Sequence, residues 1–141
     1  MQPVVRPESM MARQVAQAVM AFQQRTTGHA PKAVTVVLSQ DTLVVTLHEA
    51  LSPAEKDLAK SPAGAAKVQE FHRQLFSNSC QSLREEITRI TGVEVREAVA
   101  EVEPTTGAVV QAFTSSAMVQ VFRLAQSVPG ESWSGRACGD R

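Results

Sequence analysis

A chain of 141 residues with 43% apolar residues is one ordinary domain, large enough to bury a core without disulfide or metal staples. Its 14 basic and 14 acidic side chains cancel, which excludes a general polyanion binder, because neutralising phosphates needs a clustered excess of Lys and Arg. Aromatic residues make up only 4%, with no Tyr, and this argues against base-stacking or sugar-binding platforms.

Residues 1–7 read as a disordered lead with two prolines and no apolar h-region, so no signal peptide is expected. A helix is predicted from about Glu8 to Thr26, with Met11, Val15, Ala18, Val19 and Phe22 on one stripe and Gly28 just past its end. Val34 to Leu38 and Leu43 to His48 are β-branched runs joined by a short polar link, which predicts an antiparallel hairpin with Leu43, Val45 and Leu47 toward the core. Ser52-Pro53-Ala54-Glu55 is a capping box with proline in the first turn and opens a short helix to about Ala59. Ser61-Pro62 repeats the start and opens a long helix that can run to Thr91, before Gly92. Its stripe is Val68, Phe71, Leu75, Phe76, Leu83, Ile87 and Ile90.

After Gly92 the period changes. Val93, Val95 and Val99 fall on odd positions, and Ala100 and Val102 break the alternation, which suggests a bulge or burial on two sides. Glu103 to Gly107 is turn chemistry, and Val109 to Phe113 returns as a strand. Met118, Val121, Phe122 and Ala125 follow helical spacing. Helix is the favoured reading of residues 115–126, and strand is the alternative, since Met118 to Phe122 echoes Val109 to Phe113. Residues 127–141 read as a disordered tail. The predicted order is α-ββ-αα-ββ-(α): a single α+β domain over residues 8–126, with a four-stranded antiparallel sheet, an N-terminal helix and a long central helix.

An unbroken central helix of about 30 residues would extend roughly 45 Å and overhang such a sheet, carrying its apolar stripe into water. A homodimer is therefore expected, with a break near Ser77-Asn78-Ser79 as the alternative. No run approaches the roughly 18 apolar residues of a membrane span, so no direct membrane insertion is expected. Cys80 and Cys138 are expected to be free thiols in a reducing cytoplasm.

Leu51-Ser52-Pro53-Ala54-Glu55-Lys56-Asp57-Leu58-Ala59 lies between a hairpin and a long helix. Together with Gly28-His29-Ala30-Pro31-Lys32 and Thr91-Gly92-Val93, it resembles the Na-translocating membrane potential protein MpsC family. The resemblance covers about residues 8–124. It implies a small protein without membrane spans, acting as an accessory or regulator beside a membrane system that generates potential or takes up inorganic carbon, with a membrane transport protein as partner. It carries over no catalytic residues.

Few residues point to chemistry. The loop of Gly28, His29 and Lys32 is the candidate anion site, for bicarbonate or phosphate, and a small-anion or metabolite sensor is the alternative function. A plain helix-to-strand connection accounts for the same residues. His29, His48 and His72 have no ligand partner at metal-site spacing, and Cys80 has no activating histidine beside it, so no metal, no cofactor and no enzymatic activity are expected. Arg73, Arg84, Arg89 and Arg96 are interleaved with Glu70, Glu85, Glu86, Glu94 and Glu97, a pattern of surface ion pairs rather than a nucleic-acid track.

Overall fold

The computed structural model describes residues 7–114. They form α1 (Pro7–Thr27), β1 (Ala33–Ser39), β2 (Thr42–His48), α2 (Pro53–Leu58), α3 (Pro62–Ser79), α4 (Gln81–Thr91), β3 (Glu97–Glu103) and β4 (Ala108–Thr114). Residues 1–6 of the predicted lead, the helix-or-strand stretch 115–126 and the tail with Cys138 lie outside the described residues.

The fold is α+β, with one four-stranded antiparallel sheet in the order β1-β2-β4-β3. Each hairpin contributes one edge strand and one inner strand. The two are welded by the β2–β4 pairing, which runs from Thr42↔Thr114 to Leu47↔Val109. One face of the sheet is built from three rows: Val34, Leu47, Val109 and Val102; Val36, Val45, Gln111 and Ala100; Leu38, Leu43, Phe113 and Ala98. Most of this face forms the core together with Val15, Val19 and Phe22 of α1, Val68 and Phe76 of α3, and Leu83 and Ile87 of α4. Phe76 joins the layers, with its ring centroid 6.0 Å from both Phe22 and Phe113.

The capping signals behave as their chemistry requires. Ser52 Oγ accepts from the Glu55 N–H at 3.2 Å, and Glu55 Oε1 accepts from the Ser52 N–H at 2.9 Å. Ser61 Oγ accepts from the Gly64 N–H at 3.0 Å. Gly28 and Gly92 follow α1 and α4 in the left-handed conformation, at φ 79° and 78°.

Two details depart from the sequence reading. The single long helix is interrupted at Cys80 (φ −80°, ψ −4°), which ends α3 and precedes α4. Ser77, Asn78 and Ser79 are weak helix formers, and the break lets α3 lie along β3 while α4 lies against α1. The buried line of α3 falls on positions 64, 68, 72 and 76. His72 is buried in place of Phe71, which is 51% exposed. In the second hairpin the alternation restarts at Glu97. Pairing runs unbroken from Glu97↔Thr114 to Glu103↔Ala108, so there is no bulge, and Val99 points away from the core that takes Ala98, Ala100 and Val102. Small alanines suit this core face, because α3 packs directly on β3.

Gly64 marks a close approach between α2 and α3. A Cβ built there would sit 1.9 Å from the Leu58 carbonyl oxygen, at the end of α2. Helix propensity alone would favour alanine by about 1 kcal/mol, but a backbone clash has no flexible side chain to absorb it. Gly64→Ala is expected to lower the unfolding free energy by about 1–3 kcal/mol in urea titration. An unchanged or raised stability would contradict the close α2–α3 contact.

Candidate functional site

Gly28, His29 and Lys32 are brought together beside Glu49, at the end of β2. His29 Nε2 lies 3.3 Å from the Glu49 carbonyl oxygen. Lys32 Nζ lies 3.8 Å from Glu49 Oε2, and Lys56 reaches the other carboxylate oxygen at 4.0 Å. Glu49 holds φ +52°, a left-handed backbone unusual for glutamate. Three backbone donors of the loop are used within the chain. The Gly28 N–H donates to Gln24 O, the Lys32 N–H to His48 O and the His29 N–H to Thr27 Oγ1. The loop is thus a helix cap joined to a strand entry, with its lysine facing a carboxylate of its own chain.

A buried polar cluster, missed in the sequence, lies between the helices and the sheet. His72 Nε2 is 2.9 Å from Glu55 Oε2, and the other oxygen of Glu55 caps α2, so one carboxylate pins α2 to α3. Gln23 and Gln111 are buried beside His72 around a small cavity also lined by Phe22, Phe76 and Thr26. Gln23 Nε2 and Gln111 Oε1 make no hydrogen bond there. The available signal was a glutamine on an otherwise apolar strand, in Val109-Val110-Gln111-Ala112-Phe113. An unpaired buried amide costs about 1–3 kcal/mol. Replacing both, as Gln23→Met with Gln111→Met, is expected to raise stability by about 1–2 kcal/mol in thermal unfolding. A loss of stability would show instead that the amides are bridged by a bound water.

Arg73, Arg84 and Arg89 are occupied. Arg73 donates to Glu70 at 2.9 Å and to Glu101 at 3.0 Å, tying α3 to β3, and the Glu101 hydrogen bond raises its already high pKa. Arg89 pairs with Glu86, whose carboxyl is held below its ordinary range mainly by that hydrogen bond. Arg84 donates to the carbonyl oxygens of Val95 at 2.9 Å and Arg96 at 3.2 Å, fixing the loop after α4. These bonds fit surface cross-links better than a phosphate track. Among the described residues no cluster of three His, Cys, Asp or Glu side chains could hold a metal, and no helix is long and apolar enough to cross a membrane.

An apolar groove of about 160 Å³ lies between the start of α1, the β1–β2 turn, the end of α4 and the loop after it. Leu43, Ile87, Val95 and Phe113 form its floor; Met11, Leu38 and Val93 form its walls. Leu38 is 60% exposed and Val93 57% exposed, and Met10 is exposed beside Met11. Asp41 and Glu94 line the groove, and no Lys or Arg among the described residues does. It exists because two turns leave large apolar side chains at the same end of the sheet. In the first hairpin, Gln40 takes a left-handed φ of +54° to close a two-residue link between Ser39 and Thr42, which lifts Leu38 to the tip. In the second, the chain leaves α4 through Gly92 and carries Val93 outward before Val95 turns in.

The sequence matches the family model described as Na+-translocating membrane potential-generating system (MpsC) over residues 8–116. The chain belongs to this family. The matched region takes in every described element from α1 to β4. No curated protein and no solved structure matches the chain.

Proposed function

We propose that this chain is a non-enzymatic accessory or regulatory component of a Na+-translocating membrane potential-generating system, and that it works by protein contact from the cytoplasmic side. Family membership supports a role in such a system. With no spanning helix among the described residues, a part played by contact is the simplest one compatible with them.

The apolar groove is the observation that carries the contact reading. Exposed methionines, leucine and valine around a concave apolar floor suit an inserted apolar anchor, and methionine adapts its shape to what it meets. The acidic side chains at Asp41 and Glu94 suit a partner whose apolar segment is flanked by Lys or Arg. Cytoplasmic loops next to membrane helices carry that excess of positive charge. The partner is therefore a juxtamembrane segment of an ion-translocating subunit.

Affinity capture of the full-length protein from detergent-solubilised membranes, read by mass spectrometry, tests this. The wild type is expected to recover an integral membrane ion-translocating subunit. Val93→Glu, at an exposed position that leaves the core intact, is expected to reduce that recovery about tenfold, equivalent to roughly 1.4 kcal/mol of binding. Equal recovery by both proteins would remove the groove from the reading, and failure of the wild type to recover any such subunit would remove the reading itself.

A further inference from the structure

The sheet ends on two edges of different character. The β3 edge is closed by α3. Gln69 donates to the Val102 carbonyl oxygen at 3.3 Å, and Arg73 reaches Glu101 on the face turned away from the helices. β3 also carries three carboxylates, at Glu97, Glu101 and Glu103. Charge and side-chain cover are what keep foreign strands off an edge. β1 has neither. Ala33–Ser39 holds no charged residue and no proline, and among the described strands it pairs only with β2. Among the described residues no side chain hydrogen-bonds to the backbone of Val34 to Leu38. Val37 is 53% exposed, and Leu38 beside it is exposed as well. An open, uncharged edge of seven residues, rich in valine, is a template for one more strand.

The charges that flank β1 decide which strand fits. Lys32 precedes it, 3.8 Å from Glu49 of its own chain yet with a side chain 75% exposed. Asp41, also exposed, follows it in the turn to β2. A strand with a cation at its start and an anion at its end is complementary to itself when two copies run antiparallel. We propose that β1 pairs with β1 of a second copy about a two-fold axis through Val36, joining the two four-stranded sheets into one. Val36 is the midpoint of Ala33–Ser39. Opposed residues are then an even number of positions apart, which keeps the helix-bearing faces of both copies on the same side. Val34 lies opposite the second copy's Leu38, and Thr35 opposite its Val37, so β-branched and apolar side chains meet across the seam. Lys32 comes level with the second copy's Gln40 and alongside its Asp41, once at each end. Both copies use the same patch, and because the β3 edge is closed, assembly stops at two instead of growing into a fibre.

Sedimentation velocity of the intact 141-residue protein at low salt, over a dilution series, tests this. It needs no membrane partner, so its outcome is separate from that of the groove contact. The wild type is expected to be a dimer. Lys32→Asp and Asp41→Lys, each at an exposed position, are each expected to weaken dimerisation about tenfold. The double variant restores both ion pairs and is expected to return to within about twofold of the wild type. At dilutions where a single variant dissociates, its amides among residues 34–38 are expected to exchange hydrogen faster than those of the wild type, with β3 unchanged. A monomer throughout the series, a dimer that neither reversal weakens, or a double variant no better than the singles would overturn the proposal. Equal exchange along β1 in wild type and dissociated variant would overturn it too, by moving the dimer contact elsewhere.

Discussion

Everything in this molecule hangs on the pairing of β2 with β4. The two hairpins are local structures, each closed by a short turn, and a lone hairpin is marginal in water. Joining Thr42–Leu47 to Val109–Thr114 converts them into one sheet with a continuous apolar face, on which three helices can settle. The constraint is severe, because the paired residues are more than sixty positions apart in the chain and the closure must be compensated by burial. The compensation comes from Leu43, Val45, Leu47, Val109 and Phe113, all buried where the strands meet. Gln111 sits in the same central row, opposite Val45 and Ala100, and is the polar exception around which the Gln23 and His72 cluster is arranged.

The local features of this fold were legible because their signals are local. The Ser52–Glu55 box, the Ser61-Pro62 start, the two glycine caps and the alternation of Leu43, Val45 and Leu47 each follow from a few adjacent residues, and each is where the pattern put it. What escaped depends on packing between distant segments. The break at Cys80 was only the alternative reading, at the weak helix formers Ser77, Asn78 and Ser79, because nothing local decides it; α3 packs on β3 while α4 packs on α1. The burial of His72 over Phe71 is a rotation of the helix by one position, and it is stabilised by Glu55, seventeen residues away. The inward face of β3 was left open because Val99 and Val102 fall on opposite faces, and small alanines at 98 and 100 make room for α3.

The candidate sites divide in the same way. The loop of Gly28, His29 and Lys32 was conspicuous in sequence, and its backbone N–H groups bond to Gln24, Thr27 and His48. The apolar groove was invisible, because it assembles Met11, Leu38, Val93 and Phe113 from four separate parts of the chain. Those side chains are individually ordinary, and only their convergence at one end of the sheet makes a binding surface. For a member of a family described as a Na+-translocating membrane potential-generating system, that apolar end is the surface on which the proposed partner contact rests.

The most direct test of this view is photo-crosslinking in living cells, with a benzophenone side chain at Leu38 on the groove wall and a second at Lys67 on the exposed side of α3 as control. The account predicts an adduct to an integral membrane ion-translocating subunit from position 38 and none to that subunit from position 67. Adducts from position 38 to soluble proteins alone, or the same adducts from both positions, would contradict it.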